Sequence, residues 1–241
     1  MQLKIYDTKQ EVAEAFAIYL AGFIASRKKV HIALSGGSTP KIVFDELAAF
    51  YTDKIDWRKV HFYWGDERCV SPDDVDSNYK MTLEHLLSKI NVLEANIHRI
   101  IGENPPQYEA ERYSDLLDKE LPRSNKIPRF DLVILGMGDD GHTASIFPNE
   151  IKLWYSENNC EVATHPDSGQ KRVSLSGGVI NNAEAVVFLV TGESKAEKVK
   201  EIIDKEGDYK NYPAALVAAD SGNLFWFLDN AAATRIISKR S

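Results

Sequence analysis

The sequence predicts an α/β fold: a single Rossmann-like, doubly wound domain with a mostly parallel central sheet. Apolar, β-branched runs such as Leu132–Leu135 lack the polar alternation of half-exposed strands, so they are typical of strands buried on both faces. Amphipathic segments separate these runs, and this alternation favours parallel strands joined by crossover helices. The 241 residues suffice for one large core, and no linker or low-complexity run divides them, which predicts one domain over residues 1–241.

The first half of the chain alternates between strand and helix from its start. Short apolar runs predict the strands, and apolar side chains such as Val12, Phe16 and Leu20 repeat at helical spacing. Pro40 is placed to lie near the first turn of a helix. The predicted elements of this half are strand 2–6, helix 9–26, strand 30–34, helix 42–50, strand 60–64, a helix from residue 77 or 78 to about 90, and helix 108–120.

The second half continues the same pattern after a loop at 121–128. Ala185–Val190 is an unbroken apolar run, typical of a central strand. Pro213 opens a further apolar run, Ala214–Ala218, for which we also predict a strand. The remaining predicted elements are strands 132–135, 161–164, 172–175 and 224–228 and helices 195–204 and 231–237.

Composition and charge argue against several classes of protein. The net charge of −7 disfavours a broad nucleic-acid-binding surface. Cys69 and Cys160 are isolated, so neither a zinc site nor a disulfide framework is indicated. No apolar run approaches the ~20 residues of a membrane span, and the N-terminus lacks a secretory signal pattern. We expect a cytoplasmic protein without nucleic-acid or membrane partners, either a monomer or a small homo-oligomer.

The strongest candidate site follows the predicted strand Leu132–Leu135. In an open α/β sheet, ligands bind beyond the carboxyl ends of the strands, so Asp140 and His142 arrive where chemistry is expected. A histidine beside a carboxylate is the minimum for a general base that works near neutral pH. We expect a helix to begin at about His142. A tight turn before it is favoured by three glycines: Gly136, Gly138 and Gly141.

Two other interpretations of this segment stay open. Its three glycines match the G-x-G-x-x-G fingerprint of dinucleotide-binding loops, which would indicate a nicotinamide-dependent oxidoreductase. However, Asp139 and Asp140 would place two carboxylates where a pyrophosphate sits, and like charges repel. The second interpretation is a plain strand-to-helix turn with a solvated His142.

A second glycine turn, S-G-G-S-T-P at residues 35–40, follows the predicted strand 30–34. A strand, two glycines, two hydroxyl residues and a helix start present backbone N–H groups and hydroxyls to a phosphate. The segment is not a Walker loop, because no Gly-Lys-Ser/Thr follows. A capped turn without a ligand is equally compatible with this pattern.

Two basic residues follow predicted strands and could reach the same edge of the sheet. Arg68 comes after strand 60–64, where a guanidinium suits a phosphate or a developing oxyanion. An ion pair with Asp66 or Glu67 is the alternative. Lys195 begins the predicted helix after strand 185–190 and is either a phosphate ligand or a solvated lysine.

Four stretches in order along nearly the whole chain are similar to motifs of the 6-phosphogluconolactonase family. They are L-S-G-G-S-T-P (34–40), W-G-D-E-R-C-V-S-P-D-D-V-D-S-N-Y (64–79), G-M-G-D-D-G-H-T-A-S-I-F-P (136–148) and the N-N-A that follows Arg172. The resemblance implies a Rossmann-like enzyme that hydrolyses 6-phosphoglucono-1,5-lactone to 6-phosphogluconate in the oxidative pentose phosphate pathway. It also implies that no metal or organic cofactor takes part.

The resemblance also implies roles for individual residues. By position, His142 is the general base that activates water, Asp140 orients or supports it, and Arg68 lies at the phosphate or the developing oxyanion. The chain departs from the family at Leu175–Gly178, where a Thr-Leu-Pro-like segment is common. The other implied site residues form the phosphate turn and two basic positions: Gly36, Gly37, Ser38, Thr39, Arg172 and Lys195.

Glucosamine-6-phosphate deaminase is the related enzyme with different chemistry. It resembles this chain in the phosphate turn and the Asp-Gly-His run, but it carries a Glu where this chain has Phe147. An isomerising deaminase needs that acid–base group, whereas lactone hydrolysis needs only activated water and oxyanion stabilisation. The sequence therefore favours the lactonase, with a deaminase or a non-catalytic sugar-phosphate-binding protein as alternatives.

Overall fold

The computed structural model describes residues 1–237, and most of its strands belong to one sheet. The strands are β1 (Gln2–Tyr6), β2 (Val30–Leu34), β3 (Val60–Trp64), β4 (Asp66–Arg68), β5 (Ile97–His98), β6 (Arg123–Ser124), β7 (Ile127–Pro128), β8 (Leu132–Leu135), β9 (Cys160–Thr164), β10 (Lys171–Leu175), β11 (Ala185–Val190) and β12 (Leu224–Asp229). The large sheet has the order β1-β12-β11-β8-β2-β3-β5, and every neighbouring pair is parallel. The predicted α/β fold with a mostly parallel sheet is confirmed.

Helices flank this sheet. They are α1 (Lys9–Ala25), α2 (Ser38–Phe50), α3 (Asn78–His85), α4 (Pro106–Glu120), α5 (Gly177–Asn181), α6 (Ala196–Asp204) and α7 (Asn230–Ile237), with shorter 3₁₀ helices between them. Thr8 caps α1 by accepting a hydrogen bond from the backbone N–H of Glu11. None of the helices within residues 1–237 is long and apolar enough to cross a membrane.

The central strands carry the core. All residues of β2, β8 and β11 are buried, as expected for strands covered on both faces. Burying one Val, Leu or Ile side chain contributes about 1.5–3 kcal/mol to the stability of the fold. The buried strands therefore stabilise the sheet without help from the loops at its edge.

The order of the strands places two loops beside each other. From β2 the chain moves outward through β3 to β5, and from β8 it moves the other way through β11 to β12. The winding direction therefore reverses between β2 and β8, where the loops after both strands open a crevice. These are the loops that carry the two glycine turns.

A second, antiparallel sheet was not predicted. The strands predicted at 161–164 and 172–175 exist as β9 and β10, but they pair with β4 in the order β4-β10-β9 rather than with the large sheet. This pairing places Arg172 directly opposite Arg68.

Two predicted elements are wrong. No helix begins at His142, because Ala144 has a left-handed φ of 48° and the turns continue to a 3₁₀ helix at Pro148–Tyr155. The strand predicted from Pro213 is instead a 3₁₀ helix, Pro213–Leu216. Proline has no N–H for a sheet, and the N–H of Ala214 donates to the Gly141 carbonyl (3.1 Å) rather than to a strand.

Several boundaries also differ from the prediction. The second helix begins at Ser38 rather than 42, so two of the hydroxyl residues of the S-G-G-S-T-P turn, Ser38 and Thr39, already belong to it. The helix predicted from 77 or 78 to 90 is capped by Ser77 and ends at His85. The predicted loop 121–128 contains the short hairpin of β6 and β7.

Candidate active site

The crevice between β2 and β8 is a cavity of about 270 Å³. It brings together side chains and turns from widely separated parts of the sequence. Asp140 does not line the cavity and instead lies against the His142 ring. The other predicted site residues all line it: Gly36, Gly37, Ser38, Thr39, Arg68, His142, Arg172 and Lys195.

His142 and Asp140 form a hydrogen-bonded pair. Asp140 Oδ1 lies 2.6 Å from His142 Nδ1 and also accepts a hydrogen bond from the His142 backbone N–H (3.0 Å). With Nδ1 donating to the carboxylate, Nε2 is left as the proton acceptor of a neutral imidazole. Burial by itself raises the pKa of Asp140, but its hydrogen bond with His142 and the attraction between the two groups outweigh burial, so this pKa lies below its usual value.

The backbone around this pair is built from tight turns. Gly138 N–H donates to the His142 carbonyl (2.9 Å), and Gly141 N–H donates to the Gly138 carbonyl (3.1 Å). A Cβ at position 138 would lie 2.1 Å from His142 Nδ1 and 2.6 Å from Asp140 Oδ1. Glycine is therefore required at this position for the imidazole and the carboxylate to meet.

Two arginines on the antiparallel sheet face the same cavity. The Nε atoms of both Arg68 and Arg172 are buried without a hydrogen-bond partner. Arg68 Nη1 donates to the Asp76 carbonyl, so the alternative ion pair with Asp66 or Glu67 is not formed. Burial lowers the pKa of Arg172; the negative charge of Asp66 opposes this effect, and the positive charge of Arg68 adds to it. Two neighbouring like charges with open donors suit an anion that bridges them.

The S-G-G-S-T-P turn presents the start of α2 to the cavity. Gly37 is the residue before the helix and has a φ of 108°, which favours glycine. The first turn of α2 contains no acidic residue, so its positive end is uncompensated. Thr39 Oγ1 lies 2.8 Å from Thr191 Oγ1, a hydrogen bond that ties this turn to the end of β11.

Lys195 lies in the cavity wall just before α6, as predicted, but it is not a free cation. Its Nζ lies 2.6 Å from Asp139 Oδ1, which also accepts a hydrogen bond from Ser194 Oγ (3.0 Å). The hydrogen bond from Lys195 lowers the pKa of Asp139. An anion in the cavity would therefore share Lys195 with Asp139.

Three residues that were not predicted as site residues also line the cavity: Asp66, Asn78 and Thr191. Asp66 is buried and accepts a hydrogen bond from Ser145 Oγ (2.5 Å), while Asn78 Nδ2 donates to the Asp66 carbonyl (2.9 Å). Both residues stand in the motif at 64–79, so a signal was present, but the sequence indicated Asp66 only as an ion-pair partner of Arg68 and Asn78 only as a possible start of a helix.

Glu67 is also part of that motif and has a structural role. Its carboxylate accepts hydrogen bonds from the backbone N–H groups of Asn78 (2.7 Å) and Tyr79 (2.7 Å), at the start of α3. Burial raises the pKa of Glu67, although these bonds oppose that effect. Glu67 thus fixes the start of α3 and with it the amide of Asn78.

A metal site is not apparent in the part of the chain that the structure describes. Within residues 1–237, no three His, Cys, Asp or Glu side chains are grouped so that they could hold a metal ion. The expectation that the protein uses no metal or organic cofactor stays a prediction.

Comparison with known proteins agrees with the geometry. A sequence model of the family described as glucosamine-6-phosphate isomerases/6-phosphogluconolactonase matches residues 6–226. A 6-phosphogluconolactonase of Haemophilus influenzae is 44% identical over 223 residues, which cover 92% of each chain. The crystal structure of the devB protein has a TM-score of 0.93 at 44% identity and covers 98% of this chain and 99% of its own. The structure of 6-phosphogluconolactonase from Trypanosoma brucei has a TM-score of 0.87 at 31% identity and covers 98% of both chains. This chain belongs to the glucosamine-6-phosphate isomerase/6-phosphogluconolactonase family.

Proposed function

We propose that this protein is a 6-phosphogluconolactonase, which hydrolyses 6-phospho-D-glucono-1,5-lactone to 6-phospho-D-gluconate in the oxidative pentose phosphate pathway. One observation carries the proposal: His142, which is hydrogen-bonded to Asp140, lines the same cavity as two arginines whose Nε atoms have no hydrogen-bond partner. The relatives of that name agree with it. We place the reaction in the cytoplasm and assign it no metal or organic cofactor.

The phosphate binds at the basic end of the cavity. The N-terminus of α2 offers backbone N–H groups and the hydroxyl of Ser38, and Arg68, Arg172 and Lys195 offer positive charge. Binding there compensates the two neighbouring guanidinium groups, which otherwise repel each other. The phosphate thereby fixes the orientation of the lactone ring before the chemical step.

His142 acts on water at the other end of the substrate. Its Nε2 accepts a proton from a water molecule as the water oxygen attacks the C1 carbonyl, which forms a tetrahedral oxyanion. Asp140 stabilises the imidazolium that results and holds its orientation. When the oxyanion collapses, the bond from C1 to the ring oxygen breaks, and the imidazolium returns its proton to that oxygen.

The developing negative charge on the carbonyl oxygen needs a donor in the cavity. Arg68 or the backbone N–H groups of the glycine turn at 136–141 supply it. A carbon acid or an amine leaving group plays no part in this reaction, so no further acid–base residue is required. Phe147, which takes the place of the deaminase glutamate, is compatible with this chemistry.

The experiment is hydrolysis of freshly generated lactone, with the spontaneous rate subtracted, and ammonia release from glucosamine 6-phosphate measured in parallel. We expect lactone turnover without ammonia, and a kcat lowered by about 10²–10⁴-fold in His142→Ala. His85→Ala is the matched control, because His85 is bonded to Asp45 and does not line the cavity.

Each other result contradicts the proposal in a specific way. Ammonia release would indicate a deaminase. Binding of 6-phosphogluconate without turnover of either substrate would indicate a sugar-phosphate-binding protein. Reduction of a nicotinamide cofactor would indicate an oxidoreductase. Near-normal turnover in His142→Ala would remove the assignment of the base.

A further inference from the structure

Phe147 packs behind the cavity wall, against two residues that line the cavity, His142 and Arg172. Its side chain is completely buried. The ring centroid is 4.8 Å from that of His142 at an interplanar angle of 56°, and the guanidinium carbon of Arg172 lies 5.6 Å from the same centroid. One aromatic ring therefore contacts both the general base and a cation of the proposed phosphate site.

A third side chain holds this ring in place. His165 packs against Phe147 in an edge-to-face arrangement, with centroids 5.2 Å apart and planes at 78°. Nδ1 of His165 accepts hydrogen bonds from the backbone N–H groups of Asp167 and Ser168 (3.3 Å each). The orientation of the His165 ring is therefore fixed by its own loop. Phe147 is thus confined on several sides in a closely packed interior, where a ring has little freedom to tilt.

Neither functional residue is fully fixed without this ring. Among residues 1–237, the guanidinium of Arg172 forms no hydrogen bond or ion pair, so the cation–π contact with Phe147 is its principal directional interaction. The imidazole of His142 is held by Asp140 through Nδ1 alone, which leaves the ring free to rock about that bond. Contact with the Phe147 ring removes this freedom.

We propose that Phe147 is a positioning residue, which fixes the imidazole of His142 and the guanidinium of Arg172 relative to each other. A lactone anchored by its phosphate then presents C1 at the position where Nε2 activates water. This inference rests on the proposed function and adds to it a residue that touches neither the water nor the phosphate. A misplacement of a catalytic group by about 1 Å costs up to about 10²-fold in rate. Replacing the flat ring of Phe147 by a side chain of another shape should therefore change kcat measurably.

The test separates the two contacts with Phe147→Leu, which keeps an apolar side chain and removes the flat ring. We expect kcat to fall about 10-fold and KM to rise about 3- to 10-fold. In an Arg172→Met background, the same substitution should raise KM less than about 2-fold while still lowering kcat, because only the His142 contact remains to be lost. A residue with a merely structural role would not divide its effect in this way.

Phe16→Leu is the matched control. Phe16 is equally buried and has an edge-to-face partner in Phe227, but it lies in α1, where its ring packs against Tyr19 and Phe227 rather than His142 and Arg172. It should change thermal stability about as much as Phe147→Leu and leave kcat and KM unchanged. Phe147→Met, which is also apolar and lacks a ring, replaces Phe147→Leu if the latter does not fold.

A second readout does not depend on turnover. In the NMR spectrum, the imidazole C–H signals of His142 should move in Phe147→Leu, because the ring current of Phe147 is lost, and inorganic phosphate should bind about 3- to 10-fold more weakly. If kcat, KM and phosphate affinity of Phe147→Leu match those of Phe16→Leu, the proposal is overturned and the lactonase stands. If the wild type lacks lactone turnover but Phe147→Leu still weakens phosphate binding, the proposed function fails and the positioning of Arg172 stands.

Discussion

Arg68 and Arg172 lie directly opposite each other on the antiparallel strands β4 and β10, and both bury an Nε atom that has no hydrogen-bond partner. Like charges at opposing positions of a sheet destabilise it, and a buried unpaired donor adds a further cost. The two opposed guanidinium groups therefore carry an energetic penalty that an anion bound between them would relieve. This penalty is the strongest sign that the cavity is made for a phosphorylated ligand.

Arg172→Met should weaken substrate binding without lowering the stability of the ligand-free protein. Removing one of two neighbouring cations relieves their repulsion, so we expect the free energy of unfolding without ligand to stay unchanged or to rise by about 1 kcal/mol. At the same time KM should rise about 10- to 100-fold, because one phosphate contact is lost. Urea unfolding and steady-state kinetics measure the two effects.

Arg99→Met is the control, since Arg99 pairs with Glu103 outside the cavity. It should leave KM unchanged. A loss of stability in Arg172→Met comparable to that of an ordinary core substitution would show that Arg172 is structural rather than part of an anion site.

The pair of His142 and Asp140 predicts a non-additive set of variants. Asp140→Asn keeps the size of the side chain but removes the charge that supports the imidazolium, and kcat should fall about 10²- to 10³-fold with little change in KM. The double variant His142→Ala/Asp140→Asn should be no slower than His142→Ala, since Asp140 acts through the ring. Additive losses in kcat would mean that Asp140 has a separate catalytic role.

Lys195 and Asp139 predict changes in KM of opposite sign. Lys195→Met should raise KM about 10-fold with kcat within about 3-fold, because the charge contributes equally to ground-state and transition-state binding. Asp139→Asn removes the competitor for Lys195, and KM should fall about 2- to 5-fold. The effect is modest because the Asp139 side chain is 69% exposed. A rise of KM in Asp139→Asn would show that Asp139 holds Lys195 in its binding position.

The parts of the fold that the sequence predicted correctly depend on local patterns. Strands such as β8 and β11 are apolar throughout because both faces are covered, and such runs have few alternatives within a chain of this size. The two glycine turns were also predicted from local patterns, because each follows a buried strand. Gly37 has a positive φ, and a side chain at Gly138 would clash with His142 and Asp140, so glycine is favoured at both positions.

The parts that could not be predicted depend on contacts between distant segments. The pairing of β4 with β10 joins residues about 100 positions apart, and nothing near Arg68 or Arg172 signals which register they adopt. The same holds for Pro213–Leu216, whose apolar composition suits a strand, but which instead packs against the turn at Gly141. The place of Asp66 in the cavity was not predicted, because a buried carboxylate and a loop carboxylate look alike in sequence.

The stability of the protein towards acid should depend on three histidines on β2, β3 and β5. The rings of His31 and His61 are 5.0 Å apart, and His61 Nδ1 lies 3.1 Å from His98 Nε2. Burial, followed by the charge of Lys29, lowers the pKa of His31 from 6.5 to about 3 and that of His61 to about 4. Burial also lowers the pKa of His98.

The sign follows from proton binding. Below pH 6.5 the unfolded chain takes up protons at His31 and His61, whereas the folded protein does so only as the pH approaches 4 to 3. The free energy of unfolding therefore falls as the pH decreases from about 6.5, and each such histidine contributes up to about 1.4 kcal/mol per pH unit. His31→Gln keeps a partner for the Tyr63 hydroxyl, which lies 3.2 Å from His31 Nδ1, and removes one titrating group.

Urea unfolding at pH 7, 6, 5 and 4.5 measures this slope. In His31→Gln the loss of stability between pH 6 and 4.5 should be shallower than in the wild type by about 1 kcal/mol per pH unit. His85→Gln, at a histidine bonded to Asp45 away from this group, should retain the wild-type slope. Because His31 lies near the amino end of β2, whereas the pair of His142 and Asp140 follows the carboxyl end of β8, kcat at pH 7 should be unchanged in His31→Gln. Equal slopes in His31→Gln and the wild type would mean that the acid sensitivity arises elsewhere, in the carboxylates rather than in this buried cluster.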